Sequence, residues 1–163
     1  MIASASPRIV IGLLLMASVA VVGGALLFQY VGGLEPCELC LYQRWPYYAA
    51  IVATSVALLS GGERAMEAVI ALCALLFAAS TVLAFYHTGV EHHLFAGPTA
   101  CTGGVTGASS VEALKAQLLA RQPVNCDEPA WRLLGVSLAG WNLVASALIA
   151  AFCLAAIVKR SRR

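Results

Sequence analysis

The sequence predicts an all-α membrane protein, a four-transmembrane-helix bundle with a long outward loop carrying a short amphipathic helix. Three observations lead there. Of 163 residues, 61% are hydrophobic and only 11% are charged, against about 25% charged in an ordinary soluble domain. Four apolar runs, at about 8–29, 41–60, 68–86 and 138–158, each approach the roughly 20 residues that an α-helix needs to cross about 30 Å of hydrocarbon. These runs are apolar on every side, as suits helices that face lipid and one another. Together they make one membrane domain, residues 1–163.

The first run follows Arg8, and Ser18-Val19-Ala20 weakly resembles a signal-peptide cleavage site. It continues through Val21, Val22, Ala25, Leu26, Leu27 and Phe28, beyond the roughly 7–15 residues of a signal core, so a retained span is expected. The second run contains Pro46, which removes a helical hydrogen bond to Tyr42 and predicts a kink. The third ends in Phe85-Tyr86-His87-Thr88. The fourth is followed at once by Lys159, Arg160, Arg162 and Arg163, and such basic residues are retained on the cytoplasmic side. Four spans then place both termini there, and the loops at 30–40 and 87–137 face the opposite compartment. The formal net charge of +2 is accounted for by topology, and nothing asks for nucleic acid.

Cysteine placement carries the chemical signal. Of six cysteines, Cys37, Cys40, Cys101 and Cys126 fall in the outward segments, whereas Cys73 and Cys153 lie inside spans three and four. Buried helix cysteines behave as small apolar residues, so the latter two are expected to be packing residues. The outward four admit three pairings, among which sequence alone does not choose. Spacing favours the Cys37-Glu38-Leu39-Cys40 motif as one pair, with Cys101 and Cys126 bracketing the long loop. Cys-x-x-Cys motifs are often redox-active, although plain structural disulfides remain the bland alternative.

Pro36 suits the turn that opens a helix. The first pair thus sits at a helix N-terminus, where free N–H groups and the dipole favour the thiolate that attacks disulfides. Arg44 follows Cys40 by four residues, one helical turn away on the same face. An arginine at the edge of the hydrocarbon either snorkels as an interfacial anchor or serves a site. In the second case its guanidinium can stabilise a Cys40 thiolate and donate to the carbonyl oxygen of a redox ring. His87 should reach the same outer interface, where a lone histidine is often just a polar helix end. Trp45, Tyr47 and Tyr48 fit the interfacial aromatic belt. Glu91, His92 and His93 hint at a metal only weakly, and no metal site is expected.

In the long loop, the flexible stretch Thr102-Gly103-Gly104-Val105-Thr106-Gly107 precedes a capping box from Ser109 to Glu112. Val111, Leu114 and Leu118 then recur at helical spacing as far as Pro123, predicting a short amphipathic helix on the membrane surface or over the loop's own apolar residues. Slack beside Cys101 suits exchange between pairs, because cysteine α-carbons must come within roughly 7 Å.

Three strings carry a resemblance to a known family: Pro36-Cys37-Glu38-Leu39-Cys40-Leu41-Tyr42-Gln43-Arg44, Tyr86-His87-Thr88, and Cys126-Asp127-Glu128-Pro129-Ala130-Trp131 leading to Gly135. With the four-span pattern, the chain resembles the disulfide bond formation protein B (DsbB) family over nearly its whole length. The resemblance implies a quinone-dependent thiol oxidoreductase of the bacterial inner membrane, with its active cysteines periplasmic. It implies the disulfides Cys37–Cys40 and Cys101–Cys126 and a periplasmic DsbA-like thioredoxin-fold oxidase as partner, which would attack Cys101. Cys126 would then engage Cys37, and electrons would pass through Cys40 to ubiquinone, or menaquinone, from the membrane pool. Arg44 would orient the ring with His87 close to it. Glu38, an acidic residue between the paired cysteines, departs from expectation and could shift their potential.

Other readings of the same residues are a metal-binding membrane protein using Cys37, Cys40 and the His92-His93 pair, and a structural subunit whose disulfides brace a loop. A vitamin-K-reductase-like enzyme shares the chemistry, but usually carries its Cys-x-x-Cys late in the chain rather than at the start of span two.

Overall fold

The computed structural model describes residues 6–98, 110–112, 115 and 125–162. Cys101, its pairing with Cys126, the glycine-rich stretch 102–107 and most of the expected amphipathic helix lie outside the described residues. Four long helices form the bundle: α1 (Pro7–Tyr30), α3 (Trp45–Ser60), α4 (Glu63–Glu91) and α5 (Leu138–Ser161). A single helical turn, α2 (Glu38–Tyr42), precedes α3.

Helices α1, α4 and α5 are long and apolar enough to cross a membrane, with mean hydropathies of 2.6, 2.5 and 2.2. The second expected span is shorter than its apolar run. It was expected from residue 41, but the chain turns at Gln43 and Arg44 and α3 begins at Trp45. The cause is Pro46, which has no N–H to offer the Tyr42 carbonyl. Arg44 N–H instead bonds the Leu41 carbonyl, three residues back, and regular bonding resumes with Tyr48 N–H to the Arg44 carbonyl. The 16 residues of α3 cover about 24 Å at 1.5 Å per residue.

The third helix runs past its apolar stretch at both ends, so His87 lies within α4 rather than in the loop expected to start there. Between α3 and α4 only Gly61 and Gly62 intervene, and Gly61 takes the left-handed conformation, φ 69°, that ends α3. Before α5, the chain forms a hairpin of two-residue strands that the sequence pattern did not announce. In it β1 (Arg132–Leu133) pairs antiparallel with β2 (Val136–Ser137). Its turn residues Leu134 and Gly135 both have positive φ, as a two-residue hairpin loop requires. Ser137 then caps α5 by accepting the Gly140 N–H at 3.0 Å.

Side-chain size sorts the bundle's inside from its outside. Many buried positions are small, including Ser18, Ala50, Thr54, Ala57, Ala74, Ala84, Ser146, Ala150 and Ala156. The large residues Met16, Leu59, Leu75 and Leu148 stand outward. Between membrane helices there is no hydrophobic drive, so close backbone approach over small residues supplies the packing, and big side chains face the lipid. Tyr47 and Phe77 are the largest inner exceptions, with ring centroids 5.0 Å apart. Cys73 and Cys153 are fully buried in the same core, as packing residues would be.

Candidate functional site

One end of the bundle gathers the chemistry. Pro36 leads into α2, and Cys37 is its N-cap, with Sγ accepting the Cys40 N–H at 3.3 Å. A helical turn brings the two sulfurs to 2.9 Å, with the Cys37 thiol donating to Cys40. That shared proton divides the pair. Donating to Cys40, reinforced by burial, pushes the Cys37 thiol up to about 12, although nearby His87 opposes the shift. Accepting the bond from Cys37 pulls the Cys40 thiol below its ordinary value, against the opposing effect of burial. Cys40 is therefore the more acidic sulfur of the reduced pair.

Cys126 belongs to the same buried cluster as Cys37, Leu39 and Val90. Cys126, expected to pair with Cys101, is thus packed beside the Cys37–Cys40 motif. Trp131, just beyond, packs against Phe28 of α1 as a tilted ring pair with centroids 4.9 Å apart and fastens this segment to the bundle.

His87 is buried at 1% exposure, with Nε2 3.6 Å from the Cys37 sulfur. Its ring is held from behind by a directed chain of hydrogen bonds. The Tyr47 hydroxyl donates to Asn142 Oδ1 at 2.6 Å. The Asn142 amide donates to Gln43 Oε1 at 2.5 Å. The Gln43 amide donates to His87 Nδ1 at 2.6 Å. With Nδ1 accepting, a neutral imidazole carries its proton on Nε2, aimed at Cys37.

On the other side of Cys40 lies a cavity of about 370 Å3 between α1, α3 and α5. Its walls are apolar residues such as Val21, Ala25, Phe28 and Trp141, and Glu35, Gln43, Arg44, Tyr47 and Asn142 also line it. Size and lining match sites for small hydrophobic ligands, in which a few polar groups fix orientation. Arg44 is anchored at its wall by donating to Gln29 Oε1 at 2.6 Å. The structure thus brings Cys40 and Arg44 to one cavity and sets His87 at Cys37, outside the lining of that cavity.

A second, small cavity of about 30 Å3 borders Cys37, Cys40 and His87, together with the carboxylate-bearing Glu35, Glu91 and Glu128. Glu91 is buried and accepts a hydrogen bond from the Ser137 hydroxyl. His92 and His93 are exposed, and it is His87 that places a ring nitrogen within 4.8 Å of both cysteine sulfurs. Glu38 accepts from the Tyr42 hydroxyl at 2.7 Å on the exposed side of α2.

Sequence reasoning gave no role to Gln43, Asn142, Gln29 or Glu91 in this arrangement. One signal pointed to three of them, since Gln29, Gln43 and Asn142 are amide side chains at or near the ends of apolar runs, where polar groups need partners.

Residues 7–156 match the family model described as "Disulfide bond formation protein DsbB". The chain is 31% identical over 156 residues to the disulfide bond formation protein B of Ralstonia nicotianae, covering 92% of this chain and 94% of that one. It is 30% identical over 157 residues to that of Acinetobacter baumannii, covering 91% and 90%. It is also 30% identical over 145 residues to that of Aromatoleum aromaticum, covering 85% and 84%. No solved structure matches.

Proposed function

We propose, from the premise that this chain belongs to the disulfide bond formation protein DsbB family, that it is a protein-disulfide:quinone oxidoreductase. Membership makes it a membrane thiol oxidoreductase of disulfide formation. In the proposed reaction, a reduced DsbA-like thioredoxin-fold protein in the periplasm attacks Cys101 of a Cys101–Cys126 disulfide and releases Cys126 as thiolate. Cys126 attacks Cys37 in a Cys37–Cys40 disulfide, and Cys40 leaves as thiolate. The partner's second thiol closes its own disulfide and frees Cys101, which then attacks Cys126 and expels Cys37. The sum is one partner disulfide formed and one Cys37/Cys40 dithiol left.

A quinone in the apolar cavity supplies the acceptor for the two electrons and two protons that return Cys37 and Cys40 to the disulfide. The residues fit such a group. Cys40 is the more acidic sulfur and lines the cavity, Arg44 offers donors for a ring oxygen, and the remaining wall suits an apolar ring and tail. Ubiquinone and menaquinone both meet these demands.

The observation that carries this reading is the double position of the first pair: Cys37 packs with Cys126, and Cys40 lines the cavity. The same reading makes the chain a multi-pass protein of the bacterial inner membrane, with residues 41–60 as the second of four crossings, both termini cytoplasmic and the end carrying Cys37 and Cys40 periplasmic. Support comes from Lys159 and Arg160 in the last turn of α5, at the end opposite the cysteines. The test is anaerobic mixing of the membrane-embedded chain with a reduced thioredoxin-fold partner and ubiquinone. Stoichiometric partner disulfide and quinol support the proposal; no partner oxidation that depends on quinone, or oxidation that continues without quinone past the capacity of the chain's own disulfides, rejects it.

A further inference from the structure

We propose that Cys37, Cys40 and His87, when both cysteines are thiols, form a binding site for one thiophilic divalent cation such as zinc. Each of the three offers one ligand atom, and these atoms all lie within 4.8 Å of one another. Zinc–sulfur bonds of about 2.3 Å and zinc–nitrogen bonds of about 2.0–2.1 Å in a tetrahedron set sulfur and nitrogen about 3.5 Å apart, and two sulfurs about 3.8 Å apart. The Cys37 Sγ to His87 Nε2 edge, at 3.6 Å, already meets this. The sulfurs, 2.9 Å apart, must part by about 0.9 Å to reach that tetrahedral edge. Cys37 stands outside the helix as its N-cap, so rotation of its side chain can provide the movement.

The surroundings favour a cation. The small cavity that borders all three ligands, about 30 Å3, is also lined by Glu35, Glu91 and Glu128 and, among the described residues, by no lysine or arginine. That volume exceeds the roughly 10–15 Å3 a cavity needs to admit a water. It leaves room for an ion whose fourth position is filled by water or a carboxylate.

A metal-bound histidine nitrogen must be unprotonated, with the other ring nitrogen donating to an outer partner. His87 Nδ1 has such a partner in Gln43. For Nε2 to bind metal, the hydrogen-bond chain behind the ring must run the other way, and its members allow it. Turned over, the Gln43 amide accepts from Nδ1–H and donates to Asn142 Oδ1, and the Asn142 amide donates to the Tyr47 hydroxyl. No bond of the chain is lost.

Binding converts two thiols to thiolates, releases two protons and moves no electrons. Formation of the Cys37–Cys40 disulfide takes both sulfurs out of coordination, so the site exists only in the reduced chain, and an occupied site withholds the dithiol from oxidation. Metal binding depends on the dithiol and His87 alone, so failure of the quinone reading would leave it standing.

The test uses the full chain in detergent or nanodiscs, reduced or oxidised, titrated with cobalt and with zinc against a chromophoric chelator. The expected result is one metal per reduced chain, with thiolate-to-cobalt absorption and zinc protection of Cys37 and Cys40 from alkylation. His87→Gln should weaken binding at least tenfold, and a His92→Ala/His93→Ala double variant should not. Equal uptake by the oxidised chain, or Cys37 and Cys40 alkylated as fast with zinc as without, would overturn the proposal. The protection assay needs no variant and decides the matter should His87→Gln fail to fold.

Discussion

His87 meets the cysteine pair through Cys37, its Nε2 lying 3.6 Å from the Cys37 sulfur, while Cys40, its sulfur within 4.8 Å of a His87 ring nitrogen, also lines the apolar cavity, which His87 does not. The two cysteines of one motif thereby have different neighbours. In the proposed relay Cys37 is the sulfur expelled when the second pair closes again, and a departing thiolate is helped by a donor beside it. His87→Phe removes that donor while keeping a ring of similar shape. A hydrogen bond to a charged group contributes about 1.5–3 kcal/mol, so turnover should fall on the order of tenfold or more with the KM for quinone unchanged. Steady-state kinetics at varied quinone concentration separate the two quantities, and a raised KM with normal turnover would place His87 at the ring instead.

Arg44 gives the complementary pattern. It lines the cavity with Cys40 and is steadied by Gln29 from α1. Arg44→Met should raise the KM for quinone about tenfold or more, through loss of a charge-assisted bond. Gln29→Leu should do so more weakly, since the guanidinium remains but loses its anchor. Exchange between the reduced partner and Cys101 should proceed at its normal rate in both, as measured by rapid quench without quinone.

Protonation of the pair is testable by alkylation of the reduced chain across pH. Cys40 has its thiol lowered, so its thiolate is present below the ordinary thiol range of about 8.5. Cys37 is raised to about 12 and stays protonated through that range. Mass-spectrometric mapping at about pH 7 should therefore find Cys40 modified well before Cys37. In a Cys37→Ser variant the donor to Cys40 changes from a thiol to a hydroxyl, and Cys40 should remain the reactive sulfur. Preferential labelling of Cys37 would reverse the assignment.

How much of this was legible beforehand depended on distance along the chain. The helices at 7–30, 63–91 and 138–161 follow from apolar runs, because lipid demands length and hydrophobicity and both are local properties. The placement of Cys37 and Cys40 at a helix start was readable from Pro36 and the three-residue spacing for the same reason. The break at Gln43 and Arg44 was foreshadowed by Pro46, but the shorter α3 that results was not. The chain from Tyr47 through Asn142 and Gln43 to His87 was not legible, for it joins residues 44 to 99 positions apart and exists only once α5 packs against α4. His87 was expected close to a bound quinone ring; the structure sets it at Cys37, outside the lining of the larger cavity, because which group it faces depends on the rotation of α4, which an apolar run does not encode.

The end of α4 makes a stability prediction independent of redox chemistry. After Glu91 the chain reverses through His93, φ 57°, and lays Phe95 back over Gly89, stacked on Tyr86 with ring centroids 5.8 Å apart. A Cβ at Gly89 would collide with the Phe95 ring. Gly89→Ala should lower stability by about 1–3 kcal/mol as an overpacking change, seen as a lower Tm in detergent. Combining it with Phe95→Ala should restore part of the loss, and a Tm unaffected by the single change would refute the packing.

The central claim is that electrons leave the protein through Cys40 into an acceptor held in the apolar cavity. Single-turnover mixing of the fully reduced chain with ubiquinone, without oxygen or partner protein, tests it most directly. One quinol should form for each Cys37/Cys40 thiol pair lost, and Cys40→Ser should form none. Quinol production undiminished in Cys40→Ser, or a Cys37/Cys40 pair still reduced after quinone is added in excess, would contradict the account.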